Sequence, residues 1–269
     1  MTAYPERQVL KEVLDRHFGD RNEFSVLEAG CGSLSYVPVP GAPRVTGIDI
    51  SEKQLERNEG LDQRILGDLQ TYPLPDGRSD CTICWDVLEH LPNPDKALEN
   101  LVRATRQNGL IVISVPNRNS IKGLITRLTP HAFHVFVYRY VFKDWDAGKE
   151  DRAPFKTFLR PQVSPSKMRK FAKQHGLEET LFLLYTCPMA KAGPKSAPVL
   201  FLFYRAFIAA LKFLTLGRYD GNLTDALFVW RKTPQPARAR TNASTSRAAS
   251  GIFVPGPKIA ATPASLRNA

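Results

Sequence analysis

"VLEAGCGS", residues 26–33, decides how the rest of the chain is read. An apolar run carries one acid, Glu28, and breaks at once into two glycines, Gly30 and Gly32. Glycine has no Cβ and tolerates positive φ, so backbone at such a break can come close to a ligand. In open α/β sheets the carboxyl ends of the strands are where nucleotides bind. A nicotinamide fingerprint, G-x-G-x-x-G, would need a third glycine where Ser35 stands, and it would not need Glu28.

Working outward, short apolar or β-branched runs recur: "FSVLEAG" (24–30), "RVTGIDI" (44–50), "QRILGD" (63–68), "DCTICWD" (80–86) and "GLIVISVP" (109–116). Polar or helical stretches separate them, the alternation expected of a parallel sheet with crossover helices. Val9, Leu10, Val13, Leu14 and Phe18 recur at helical spacing, predicting an amphipathic leading helix over 5–18. A crossover helix is predicted in "NPDKALENLVRATRQNG", with Pro94 near its start and Gly109 at its end. Pro38, Pro40 and Pro43 exclude a long regular helix between the first two strands. Further on, "SPSKMRKFAKQHGL" has Ser164 to cap, Pro165 to start and Gly176 to end a helix, and "ETLFLLYT" and "DALFVWRK" (225–232) read as strands.

The chain has 269 residues, 43% of them hydrophobic, and a net charge of +11, enough for a proper core. The charge is uneven. Residues 1–117 are net acidic, whereas the surplus of Lys and Arg lies in 118–175 and in the tail from 231. That distribution suits an anionic substrate or membrane face, or a basic surface that serves solubility. Cys81 and Cys84 form C-x-x-C inside an apolar run with no second ligand pair, so they read as strand residues, and no metal-ligand set is singled out. The N-terminal residues carry charges throughout with no apolar stretch, which leads us to expect a cytoplasmic protein.

Two segments break the strand–helix rhythm. "HAFHVFVYRYVFKDW" (131–145) is aromatic and basic. "PVLFLFYRAFIAALKFLTLGRY" (198–219) is nearly long enough to span a bilayer, yet Arg205 and Lys212 interrupt it two helical turns apart, on one face. An amphipathic helix is therefore expected there, either packed on the sheet or a partner, or lying on a membrane surface. From Thr233 on, Pro, Ala, Ser, Thr and Arg dominate without periodicity, and a disordered basic tail is expected over 233–269.

Acids stand at successive strand ends. Asp49 ends the second strand nineteen positions after Gly30, where a partner for ribose hydroxyls is expected; Asp68 ends the third, and "CWDVLEHLPNP" follows the fourth. Ser51 is a better cap than Asp49 for the next helix. With "VLEAGCG", "VTGIDIS", "DVLEHL" and "GLIVISVPN" in order, the chain resembles class I S-adenosylmethionine-dependent methyltransferases, in particular the methyltransferase type 11 branch that includes ubiquinone-biosynthesis O-methyltransferases. The likeness is close over about 24–117 and looser to 232. It implies an α/β, Rossmann-like, seven-stranded and mostly parallel sheet with helices on both faces and an antiparallel last strand. It further implies a helical lid insertion after strand five, here residues 118–163, inside a domain covering 1–232 that also holds an apolar helical insertion at 188–222.

By the same resemblance S-adenosylmethionine is the cofactor. Glu28, Gly30, Cys31 and Gly32 would line its methionine end, Asp49 and Ile50 its ribose, Asp68 and Leu69 its adenine, and Trp85 and Asp86 the neighbourhood of its sulfonium. If the acceptor is a hydroxyl, a neutral histidine suits the proton transfer. His90, after strand four, is the first candidate; His131 and His134 in the insertion follow, with packing in the lid as their other reading. Aromatic residues of the insertion could wrap an apolar acceptor while Arg127, Arg139 and Lys143 meet an anionic headgroup. The expected function is methylation, most simply O-methylation, of a small or lipid-like hydrophobic acceptor, with contact to the inner face of a membrane through 198–219 and the basic lid. A soluble natural-product methyltransferase and a non-catalytic cofactor-binding subunit are the alternatives. The Asn/Asp-Pro-Pro-aromatic run of DNA amino-methyltransferases is absent, "WDVLEH" standing there instead, so no nucleic-acid partner is expected.

Overall fold

Seven strands alternate with helices in a computed structural model that describes residues 5–35, 37–149, 151–187 and 198–234. The expected tail beyond Pro234 and the first part of the 188–222 insertion lie outside the described residues. The strands are β1 (Ser25–Ala29), β2 (Arg44–Asp49), β3 (Gln63–Leu66), β4 (Ser79–Trp85), β5 (Thr105–Pro116), β6 (Leu177–Tyr185) and β7 (Asp225–Lys232). They pair in the order β3-β2-β1-β4-β5-β7-β6. All neighbours run parallel except the two pairs made by β7.

Period-two alternation sends successive side chains of the central strands to opposite faces. Ile111, Ile113 and Val115 of β5 join Phe228 and Trp230 of β7 in one core cluster; Leu110 and Val112 join Leu227 and Val229 in another. Helix α1 (Pro5–Phe18) covers the second face with Leu10, Leu14 and Phe18, each at most 1% exposed. Each such burial is worth roughly 1.5–3 kcal/mol. Helices α3 (Pro94–Ala104) and α6 (Pro165–Gln174) cover the first face through Leu98, Leu101, Met168 and Phe171. The short α2 (Glu52–Arg57) follows β2 and is capped by Ser51, whose Oγ accepts from Gln54 N. Cys81 and Cys84 are buried strand residues on opposite faces of β4.

One boundary differs from the sequence reading. Gly109 does not end a helix: α3 stops at Ala104, and Gly109 lies within β5. Thr105 pairs with Ser79, and the register then shifts between Ser79 and Cys81. A Cβ on Gly109 would sit 2.8 Å from Asp80 O, so the glycine admits close backbone approach at this irregularity. Similarly, Ser164 starts α6 without a side-chain cap; its Oγ donates to Pro161 O instead.

Residues 118–163 contain α4 (Ile121–Leu128), α5 (His131–Phe136), a π-helical turn at Val137–Val141 and a 3-10 turn at Pro161–Val163. Helix α7 (Pro198–Leu214) precedes β7. No helix among the described residues is long and apolar enough to cross a membrane.

Candidate functional site

Parallel strands put their carboxyl ends on one edge, and the acids singled out above meet there. Gly30 (φ +69°) and Gly32 (φ +57°) both adopt the left-handed conformation. Gly30 N and Cys31 N donate to Ile48 O at 2.7 and 3.2 Å, drawing the loop onto β2. A Cβ on Gly30 would lie 2.5 Å from Val87 Cγ2, whereas a Cβ on Gly32 would meet nothing nearer than Gln54 Oε1 at 3.9 Å. Gly30 therefore faces protein, and Gly32 borders open space.

Asp49, at the tip of β2, ties this loop to the next helix: its Oδ2 accepts from Gly32 N and its Oδ1 from Ser51 N, both at 2.9 Å. Ile50 beside it is 74% exposed, an apolar face free to meet a ring. Glu28 is buried and accepts from Ser35 Oγ at 2.5 Å; burial raises its pKa. It lines a cavity together with Gly30, Cys31, Leu34, Val37 and Trp85. The Cys31 thiol, buried and near Asp49 and Glu28, is pushed up to about 12, so it is a neutral wall and no nucleophile. At the tip of β3, Asp68 binds Gln70 N at 2.8 Å, and Gly67 N donates to Asp49 O, linking the two strand ends. Leu69 turns its side chain into the core, and its O accepts from Asn100 Nδ2 at 3.0 Å.

Asp86, at the tip of β4, has φ +54° and accepts from Ser114 Oγ at 3.0 Å, while Ser114 Oγ lies 3.1 Å from the Tyr185 hydroxyl. The register explains the meeting: Trp85 pairs with Ser114, and Asp225 pairs with both Pro116 and Tyr185. Surrounding protein and then the Asp225 carboxylate push Asp86 up to about 6, although more than a third of its surface stays open to solvent. Solvent at the open side screens part of this effect. A carboxyl raised on folding contributes stability that is complete below its ordinary value near 4 and is lost as pH rises through about 6. Asp86→Asn, which keeps a residue tolerant of positive φ, is thus expected to gain about 1 kcal/mol on the wild type between pH 4 and 7.5 in urea melts. An unchanged difference across that range would contradict the shift.

Lys122 Nζ lies 3.6 Å from Asp225 Oδ1 and 3.8 Å from Cys187 Sγ. Burial works against the ammonium, but Asp225, Cys187, Asp86 and Glu89 hold its pKa above the ordinary lysine value. Glu89 is 3% exposed, leaves Oε2 without a partner, and is raised well above the usual carboxylate range by burial and then Asp86. Ser114, Tyr185, Lys122, Glu89 and Asp225 were not read from the sequence as site residues.

The insertion closes on this edge at two places. Asp151 accepts from Ser51 Oγ at 2.7 Å and, through its carbonyl, from Gln54 Nε2, beside Asp49. On the β4 side, Phe158 N and Leu159 N donate to Glu89 O at 2.8 and 3.0 Å. There His90 Nδ1 is 2.9 Å from Lys156 O, and its ring meets Phe155 edge-on. A carbonyl beside Nδ1 requires the proton on that nitrogen, which makes Nε2 the acceptor; burial, then the nearby His131, lower the pKa against the Lys156 bond. His131 is exposed at the start of α5, and His134 Nε2 bonds Thr129 Oγ1 at 2.9 Å within the insertion. Arg139 Nε donates to Ala147 O, and Arg127 and Lys143 are exposed, so none of the three joins the charged group around Asp86.

These residues suit a sulfonium nucleoside. Gly32 borders space for a ligand, and carboxylates at the tips of β1, β2, β3 and β4 match an ammonium, ribose hydroxyls, an exocyclic amine and a cationic sulfur.

A family profile described as a methyltransferase domain matches residues 27–113. A ubiquinone biosynthesis O-methyltransferase of Dechloromonas aromatica (strain RCB) is 30% identical over 163 residues, 57% of this chain and 64% of that protein. Another, of Bordetella bronchiseptica, is 28% identical over 165 residues, 58% of this chain and 62% of that protein. The chain therefore spans less than two thirds of the length of these relatives. Phosphoethanolamine N-methyltransferase 2 of Haemonchus contortus, solved with S-adenosyl-L-methionine, is 15% identical with a TM-score of 0.50, covering 86% of this chain and 53% of that one, a likeness of fold. The profile match over β1 to β5, the relatives' likeness and a sheet of this strand order all support an S-adenosylmethionine-dependent methyltransferase domain of class I, with S-adenosylmethionine as its cofactor.

Proposed function

We propose that the protein moves a methyl group to a hydroxyl of a small or lipid-like hydrophobic acceptor. One observation carries this reading: a neutral histidine, His90, is pinned through Nδ1 at the tip of β4, on the same edge as the Asp49-clamped glycine loop and under an aromatic insertion. S-adenosylmethionine supplies the electrophilic methyl group on a cationic sulfur. The chain's part is placement, because an in-line displacement needs an acceptor held opposite the leaving sulfur and water kept away. Asp49, Gly30 and Gly32 hold the donor; Trp85 and Asp86 border the reacting end; Phe155 and the strap after Asp151 limit water. The proton released by the acceptor hydroxyl passes to His90 Nε2.

The Asp86, Glu89 and Asp225 carboxyls gather near Lys122, poor surroundings for an anionic group and fitting ones for a hydroxyl donor. The reading has the protein work in the cytoplasm, taking its acceptor from the inner face of a membrane. Incubating the full chain with methyl-labelled donor and hydrophobic phenols or a lipid extract tests it. Base-stable label on oxygen is the expected product. Label on nitrogen or carbon, or donor binding without turnover, would overturn the O-methylation reading.

A further inference from the structure

Helix α7 packs through one stripe only. Ile208 is fully buried, and Phe201, Tyr204, Leu211 and Thr215 are half-buried at the same helical spacing. The rest of the helix turns large apolar side chains outward: Leu202 is 67% exposed, Phe203 69%, Phe207 53% and Phe213 80%. Isolated exposed apolar residues are ordinary, but a contiguous row of this kind marks a contact surface.

The insertion continues the row. Ile121 of α4 and Ile208 of α7 both lie against Gly221, and Tyr219 Oη donates to Asn119 O at 3.0 Å, so the two helices are neighbours. Helix α4 leaves Leu124, Ile125 and Leu128 exposed, and the residues after it expose Phe133, Phe136, Tyr140 and Trp145.

Charge says what covers this surface. Segment 198–219 contains no Asp or Glu and 118–145 only Asp144, while Arg127, Lys143, Arg205, Lys212 and Arg218 stand exposed among the apolar side chains. Lys212 binds Asp220 at 2.6 Å on the flank. A second copy of this chain would bring the same positive charge against itself, and like charges facing each other weaken such contact. An anionic bilayer answers both properties, since the aromatic and aliphatic side chains enter the headgroup boundary while each Lys or Arg gains about 1 kcal/mol near the surface. The helix is 17 residues, about 25 Å, and carries two basic residues, so it lies in the interface and does not span it.

We infer that α7 and the exposed residues of 121–145 form one docking surface for anionic lipid, beside the carboxyl edge that holds the reaction site. The surface gives a purpose to the membrane-presented acceptor proposed above, and rests on that reading only in this respect.

Vesicle flotation of the full chain tests it, with phosphatidylcholine alone and with about a third phosphatidylglycerol. The expected result is flotation with the anionic vesicles only, weakened by salt. Phe203→Glu/Phe207→Glu and Arg205→Glu/Lys212→Glu are each expected to weaken it at least ~10-fold, with S-adenosylmethionine affinity and the circular dichroism spectrum unchanged. Equal flotation with neutral vesicles, none with either, or binding that survives both double variants and so belongs to the basic tail, would overturn the inference. So would a concentration-dependent dimer abolished by Phe203→Glu/Phe207→Glu. Loss of donor binding in the wild type, with flotation intact, would instead count against the methyltransferase reading.

Discussion

Gly30→Val is expected to reduce S-adenosylmethionine binding below detection, a loss of at least ~1000-fold, and to lower unfolding free energy by about 2–5 kcal/mol. Two independent costs meet at this position. The first is the left-handed backbone, φ +69°, which a β-branched residue adopts poorly. The second is steric: the new Cβ would lie 2.5 and 2.7 Å from the two γ-carbons of Val87. Val87 is short and stiff about χ1, so it cannot turn aside as a long side chain would. Either the loop leaves Ile48 O, and the donor's cradle is lost, or Val87 moves and disturbs the turn leading to Glu89 and His90. Gly217→Ala is the control. Its φ is also positive, at +76°, but nothing lies within 4 Å of the added Cβ, so about 1 kcal/mol of stability and no donor affinity should be lost. Equal effects of the two variants on donor binding would contradict the role given to the loop.

His90→Gln is expected to lower kcat by about 10²- to 10⁴-fold while leaving donor affinity within about threefold. Glutamine can still donate to Lys156 O and fill the space beside Phe155, so it preserves the strap contacts and removes only the basic nitrogen. The pH profile separates the base from a brace. Burial holds the His90 pKa below its ordinary 6.5, so the acid limb of wild-type kcat should fall below pH 6.5, and the base is already neutral above that. In His90→Gln that limb should vanish from the residual rate. A variant that keeps both rate and limb would assign His90 a structural role.

How much of this was legible in the sequence depends on how locally each feature is determined. Helix α1 runs over Pro5–Phe18 as its apolar spacing predicts, and Ser51 caps α2 through Gln54 N, because both depend on residues within a turn of one another. The glycine loop and the acids at the strand tips were equally local. Gly109 was not: the polar stretch before it reads as a helix end, yet pairing of Thr105 with Ser79 draws that stretch into β5. Only the long-range partner decides. The second half of the site follows the same rule. Ser114, Tyr185 and Asp225 meet Asp86 solely through the register of β4, β5, β7 and β6, and Asp151 reaches Ser51 across a hundred residues of sequence. No spacing within one segment encodes those meetings. Leu69 shows the converse, since its position at a strand tip was legible while its orientation into the core was not.

The most direct test of the central claim is a calorimetric titration of the purified chain with S-adenosylmethionine, wild type against Asp49→Ala. Asp49 clamps Gly32 N and is the acid proposed to hold the ribose, so its removal is expected to weaken one-to-one binding about 100-fold, near 2.7 kcal/mol. No heat with the wild type, or the same affinity in both proteins, would contradict the assignment of this sheet edge to the cofactor.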